Sequence, residues 1–234
     1  MNHSPKGILL LDKAKGVSSF SYIPKLRKLL NVQKIGHTGT LDPLARGLLV
    51  FLVGKEYTKQ AEKWIAQEKE YEAILCLGKS TTTYDAEGTV TNTSSKVPTL
   101  SEVEKTLPLF QGEVEQVPPM FSAKKVGGKK LYELARKNQT VERVSCKVCL
   151  KITLMHYAYP HLLLHIRCSK GTYIRSLAQD LGKALGSYAH LHDLLRLKTG
   201  PFSLVNALVF EDLPKGLQRQ ALLEHLSYAT PPLS

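Results

Sequence analysis

Two strand-like runs, "VSCKVCLKITLMHYAY" (Val144–Tyr159) and "HLLLHIRC" (His161–Cys168), follow one another with only Pro160 between them. Strands joined by so short a connection pair antiparallel, because a parallel neighbour needs a crossover of roughly a dozen residues. The pair is therefore expected as a hairpin, and a doubly wound parallel sheet is disfavoured from the outset. The rest of the chain agrees with this. "GILLLDK" reads as a strand leading through a turn into a helix within "SYIPKLRKLLN", with Ser21 as its expected cap and Pro24 in its first turn. "GLLVFLVG" is a buried strand or a short helix, Lys55 to Lys69 a charged helical segment, and "YEAILCLG" a strand. A polar, turn-rich stretch holds Asp85 and a short strand, "GTVTNT"; Thr99 and Glu102 then form a capping box for a helix through Leu107. "SKGTYIRSLAQDLGKALG" is an amphipathic helix ended by Gly186. Strands and helices mix without a βαβ rhythm, which predicts an α+β fold around a largely antiparallel mixed sheet. With no repeat and no Gly/Ser- or Pro-rich linker, residues 1–234 are expected to form one catalytic-sized body.

Charge and cysteine content narrow the partners. Lys and Arg number 32 against 20 Asp and Glu, a formal charge of +12, which favours a polyanion: nucleic acid or an acidic membrane surface. The longest uncharged apolar stretch, "LLVFLV" (Leu48–Val53), falls far short of the roughly 18 residues a membrane helix needs. "ILLL" near the start lacks a cleavage pattern and reads as strand rather than signal peptide, so a cytoplasmic location is expected. Cys146 and Cys149 form a C-x-x-C, but inside a strand residues three apart face opposite sides and no second pair completes a zinc set, so reduced thiols and no metal are expected. "LGKS" ends like a phosphate-binding loop, yet Ala73 stands where that motif requires glycine.

Several residues are candidates for chemistry. In "GHTGTLDPLARGLL" (Gly36–Leu49), Asp42 followed by Pro43 reads locally as a helix N-cap and N1 pair, which spacing alone favours over the other role its carboxylate could take, chemistry. "SAKKVGGKKLYELARK" gathers Lys124, Lys125, Lys129, Lys130, Arg136 and Lys137 around two glycines, a bendable basic loop and helix suited to phosphates. Arg175, one turn into its expected helix behind Lys170, Gly171 and Thr172, could reach an anion. Tyr71, at the head of a strand, reads by itself as core.

Three separated signatures resemble the TruB family of bacterial tRNA pseudouridine synthases: "GILLLDKAKGVSS", "GHTGTLDPLARGLL" and "CSKGTYIRSLAQDLG". "KEYEAILCLG", "TYDAEG", "MFSAKKVGGKKLYELAR" and "AHLHDLLRL" support them in the same order, so the resemblance covers essentially the whole chain. It implies the pseudouridine-synthase fold and makes Asp42 the catalytic nucleophile, Tyr71 the aromatic that packs on the target base, and Arg175 the partner that ion-pairs with Asp42. Leu194 would line the same pocket, His37 would help hold the flipped-out RNA loop, Lys13 would support the active-site fold and Asp85 would be a loop acid near the substrate. Lys124, Lys129 and Lys130 would belong to a thumb-like insertion, about 118–145, that closes over RNA. The implied activity is isomerisation of the TΨC-loop uridine (U55) of tRNA by a monomer, with neither metal nor cofactor. The alternative is a tRNA-binding or tRNA-folding chaperone without catalysis. Four departures stand out, one of them that the loop around Asp85 carries threonines where another acid is usual. Ala14 replaces the usual proline, Leu195-Arg196 replaces a usual arginine pair, and the chain ends soon after "LLEHLSYATPPLS", so an additional C-terminal RNA-binding domain is expected to be absent or vestigial.

Overall fold

The computed structural model describes residues 4–137 and 139–227. They fall into two compact units, one from Met1–Tyr71 with Leu195–Ser234 and the other Glu72–Leu194. In chain order the first elements are β1 (Gly7–Lys13), α1 (Tyr22–Leu30), β2 (Ile35–His37), β3 (Arg46–Val53), α2 (Lys55–Thr58), α3 (Ala61–Ile65) and β4 (Lys69–Leu77). They are followed by β5 (Lys79–Thr81), β6 (Val90–Thr93), α4 (Leu100–Thr106), β7 (Gly112–Gln116), β8 (Lys125–Val126), β9 (Lys129–Lys130) and α5 (Leu131–Ala135). The chain continues through β10 (Cys146–Ala158), β11 (His161–Cys168), α6 (Ile174–Ala184), β12 (Ala189–Thr199), β13 (Phe202–Ser203) and α7 (Gln218–Glu224). The fold is α+β with a mixed, largely antiparallel sheet.

The first unit is organised by β3. All but its first residue are buried, and an apolar run of this kind is covered on both faces. β1 pairs with it antiparallel from Gly7↔Val53 to Lys13↔Gly47, and β2 from Ile35↔Val53 to His37↔Phe51. On one face α1 lays Tyr22, Ile23, Leu26 and Leu30 against Leu9, Leu11, Leu49, Phe51 and Val53; the other face packs Ile8, Leu48, Val50 and Leu52 with Tyr57 and Trp64. Each fully buried leucine of this kind is worth roughly 1.5–3 kcal/mol. Pro24 lies in the first turn of α1 as expected, but Ser21 makes no side-chain cap; Ser18 does the capping instead, accepting from Ser21 N–H at the start of a short 3-10 turn, Ser19–Ser21. The expected helix over Lys55–Lys69 is two short helices that stop at Ile65, because Lys69 already belongs to β4. Its Nζ donates to Ile65 O (2.7 Å) and Gln67 O (2.5 Å), satisfying carbonyls that the helix leaves open.

The C-terminal end of β12 joins this unit by a short parallel pairing, Leu195↔Arg46 and Arg196↔Gly47. Gly47 has φ +102°, and a Cβ there would lie 2.5 Å from Arg196 O, so the close approach of the strands requires glycine.

In the second unit β11 lies between β4 and β10, and β7 flanks β10. The expected hairpin forms, from Leu150↔Cys168 to Ala158↔His161, with a bulge between Leu154 and His156. Cys146 is half-buried and Cys149 exposed, and both are free thiols. The capping box is complete: Thr99 N–H donates to Glu102 Oε2 (2.7 Å) and Glu102 N–H to Thr99 Oγ1 (3.2 Å). Gly186, at φ +65°, follows α6 as read from sequence. Among the described residues no helix is long and apolar enough to cross a membrane.

Thr99→Ala is expected to lower unfolding free energy by about 1 kcal/mol in denaturant titration, the usual loss for a capping hydroxyl. The Thr99 N–H, with Lys96 beside it, holds the Glu102 carboxyl down at about 2 from its ordinary 4.5. Because the folded value is the lower one, the associated stabilisation is present above pH 4.5 and is lost as pH falls towards 2. Glu102→Gln should flatten the stability profile across that window.

Candidate active site

Asp42 caps no helix. The apolar residues after it form β3, so there are no free helical N–H groups for its side chain to take; Pro43 and Leu44 make a turn closed by Ala45 N–H donating to Asp42 O (3.1 Å). Asp42, half-buried, thus sits on irregular backbone between β2 and β3.

That segment is fixed almost residue by residue. Thr38 N–H donates to Val50 O (3.0 Å), Arg196 Nη2 to Gly39 O (3.1 Å), and Gly16 N–H to Pro43 O (2.7 Å). Ser19 Oγ accepts from Leu41 N–H (2.9 Å) and donates to Leu41 O (2.8 Å). The Lys13 ammonium, fully buried, donates to Ala45 O (2.5 Å), Ala14 O (2.9 Å) and Pro43 O (3.4 Å). A buried ammonium is tolerable only with acceptors of this kind, and here they flank the carboxylate's own turn.

His37 stands at the entrance to the same loop, its ring edge-on to Phe51 with centroids 6.3 Å apart. Burial, and secondarily the Arg196 charge, pushes its imidazole below the ordinary 6.5. Its Nδ1 is buried with no hydrogen-bond partner among the described residues, so a neutral imidazole keeps a polar atom available. Tyr71, on β4, is buried.

In the second unit Asp85 sits in the turn between β5 and β6, bridged to Leu191. Thr83 Oγ1 (2.5 Å) and Glu87 N–H (3.1 Å) donate to its Oδ1. Arg175 is the second residue of α6, rather than one turn in, and is buried with Asp85. Its Nε lies 3.7 Å from Asp85 Oδ2, while Nη1 and Nη2 donate to Thr83 O (3.2 Å) and Phe121 O (2.8 Å). The start of α6 is itself fixed by Gln116, whose amide exchanges hydrogen bonds with Tyr173 N–H (2.7 Å) and O (3.0 Å). Leu194, also buried, belongs to this unit. Thr81 and Ala86 beside Asp85 also line a cavity of about 510 Å³ whose wall includes Lys79, His190 and Tyr159.

The basic segment is more ordered than the loop expected. β8 and β9 pair as Val126↔Lys129 around Gly127 and Gly128, both with positive φ (+57° and +80°), the geometry of a two-residue hairpin turn. Lys129 is exposed; Lys124 Nζ lies 2.7 Å from Cys146 Sγ; the side chain of Lys130 lies outside the described residues.

Ser19 and Arg196 emerge as site residues only from the structure. For Arg196 a signal existed: in "LHDLLRLKTG" it shares the period-two face of Leu194, the inward face, where a charge needs a reason.

Comparison with known proteins gives the class first: pseudouridylate synthase, an isomerase. A model of the TruB family pseudouridylate synthase N-terminal domain matches residues 27–174, and one of the tRNA pseudouridylate synthase B C-terminal domain matches 175–227. The chain is 53% identical over 203 residues to tRNA pseudouridine synthase B of Protochlamydia amoebophila, covering 87% of this chain and 78% of the relative. It is 43% identical over 216 residues to that of Pseudomonas aeruginosa, covering 92% and 71%. A chain in the crystal structure of a Cbf5-Nop10-Gar1 complex superposes with a TM-score of 0.69 at 26% identity, over 94% of this chain and 60% of that one. The protein belongs to the TruB family.

Lys13→Met should lower the melting temperature by several degrees in a thermal scan, because the carbonyls that anchor the Asp42 turn lose their shared donor. By NMR titration, the His37 imidazole should protonate below 6.5. Since folding depresses that value, its contribution to stability should shrink as pH falls below 6.5.

Proposed function

We propose that the protein converts the TΨC-loop uridine of tRNA, U55, to pseudouridine, with Asp42 as nucleophile. The observation that carries this reading is the loop of Asp42, the aspartate the sequence resemblance singles out, whose backbone is held by hydrogen bonds at Thr38, Gly39, Leu41, Pro43 and Ala45. Rigid placement of a reacting group lowers the barrier by removing the entropy of orienting it.

The reaction breaks the N1–C1′ bond of uridine, turns the base and joins C5 to C1′; the C5 hydrogen leaves to solvent and N1 gains one. It calls for an ionised carboxylate and a dry pocket. Asp42 attacks C1′ or C6, or assists a glycal route by removing a 2′ proton. Tyr71 stacks on the base, and in the glycal route is the candidate base. Arg175 favours ionised Asp42 as its ion-pair partner, Leu194 lines the pocket, and His37 supports the flipped-out loop. Asp85 is an acid near the substrate. No metal or cofactor takes part.

Extruding the uridine from its stack costs a few kcal/mol. The +12 charge offsets it through phosphate contacts, with Lys124, Lys129 and Lys130 on a thumb-like insertion, about 118–145. Residues 1–234 act in this reading as one catalytic domain, a monomer in the cytoplasm.

The test uses unmodified tRNA tritiated at uracil C5. Wild type should release tritium with the modification mapped to the TΨC loop, and Asp42→Asn should bind tRNA without release. Binding without release in both proteins would leave only a chaperone. Lys129→Ala should weaken tRNA binding and reduce the slope of log affinity against log salt by about one.

A further inference from the structure

Arg196 is 2% exposed, on the inward face of β12. A guanidinium stays charged and presents its donors in a rigid planar fork, so taking it out of water requires acceptors placed to match. Two backbone carbonyls meet it: Leu48 O accepts from Nε at 2.7 Å and Gly39 O from Nη2 at 3.1 Å. These residues lie on either side of Asp42 in sequence, one in the bend that follows β2 and one inside β3. One planar group therefore bridges the two ends of the segment that carries the carboxylate. The position of the bridge is set independently by the backbone, since the parallel register puts Arg196 opposite Gly47, whose lack of a Cβ leaves room for Arg196 O and N.

Lys13 meets the carbonyls of Ala14, Pro43 and Ala45, and Arg196 those of Gly39 and Leu48; at the bend Thr38–Gly39 the Arg196 bond acts together with the Thr38–Val50 hydrogen bond. A lysine at 196 would keep the charge but present a point donor on a flexible stem, unable to hold both carbonyls in one plane.

We propose that Arg196 is a positioning residue for the chemical step: its guanidinium spans Gly39 and Leu48 and so fixes the reach of the Asp42 carboxylate. This rests on Asp42 being the nucleophile. It separates Arg196 from the exposed lysines, which act on RNA affinity.

The experiment compares wild type, Arg196→Lys, Thr99→Ala and Asp42→Asn, each as the full chain. Single-turnover tritium release is measured with saturating C5-tritiated tRNA, tRNA Kd by filter binding, and melting temperature by circular dichroism. Arg196→Lys should lose roughly 10- to 100-fold in the single-turnover rate, the scale of a misplaced reacting group, while its tRNA Kd stays within about twofold of wild type. Thr99→Ala, destabilised in α4, should keep the wild-type rate and so separate lost positioning from lost stability. If Arg196→Lys does not fold, Gly47→Ala, which presses on the Arg196 backbone, is judged by the same two numbers. A wild-type rate in the folded variant overturns the proposal, as does a rate loss matched by a loss of tRNA affinity. Release that persists in Asp42→Asn overturns the nucleophile assignment itself, an outcome distinguishable from failure of Arg196 alone.

Discussion

A lysine ammonium with no contact to water must be met by oxygen atoms, and in this protein two of the oxygens that meet Lys13, those of Pro43 and Ala45, belong to the turn that holds Asp42. Lys13 closes β1 at its pairing with Gly47, so the strand that builds the core also delivers the charge that orders the loop. Fold and site are coupled through this one group. The strand pairing cannot shift register by one residue without turning Lys13 from the loop towards the opposite face.

The same device recurs with different cations. Arg196 binds the carbonyls of Gly39 and Leu48, and Arg175 those of Thr83 and Phe121 in addition to the Asp85 carboxylate. Most of these acceptors, Gly39, Thr83 and Phe121, lie on irregular backbone, where carbonyls lack ladder partners and a buried oxygen would otherwise go unsatisfied, while Leu48 lies inside β3. Buried cations here do the work that hydrogen-bonded ladders do elsewhere. They let loops carry functional side chains with the rigidity of secondary structure, which is where the chemistry of a base-modifying enzyme needs irregular chain.

Much of the architecture was legible in the sequence because the signals were local. The β10–β11 hairpin followed from two strand runs parted by one residue, the α4 capping box from Thr99 and Glu102, and the end of α6 from Gly186. The misreadings arose where local signal and tertiary context disagree. Asp42-Pro43 is a good helix start by spacing, but the residues behind it are covered on both faces and form β3, so the proline serves a turn. Lys55–Lys69 has helical composition, yet its last residues are claimed by β4. For the site, family resemblance supplied the roles proposed for Asp42, Tyr71 and Arg175. The anchoring by Ser19 was not readable, because carbonyl acceptors leave no mark in a sequence, and Arg196 was marked only by a charge on the inward face of its strand.

The bridge made by Arg196 also has a temporal side. Its two hydrogen bonds join residues 148 and 157 positions apart, so the segment bearing Asp42 is made early in synthesis and receives its latch only after most of the chain has followed. Contacts of such separation close long loops, and a fold rich in them forms more slowly than one built from local contacts. A growing chain therefore carries Asp42 on a loop whose latch is not yet made, and that loop is tied at both ends only once β12 is in place.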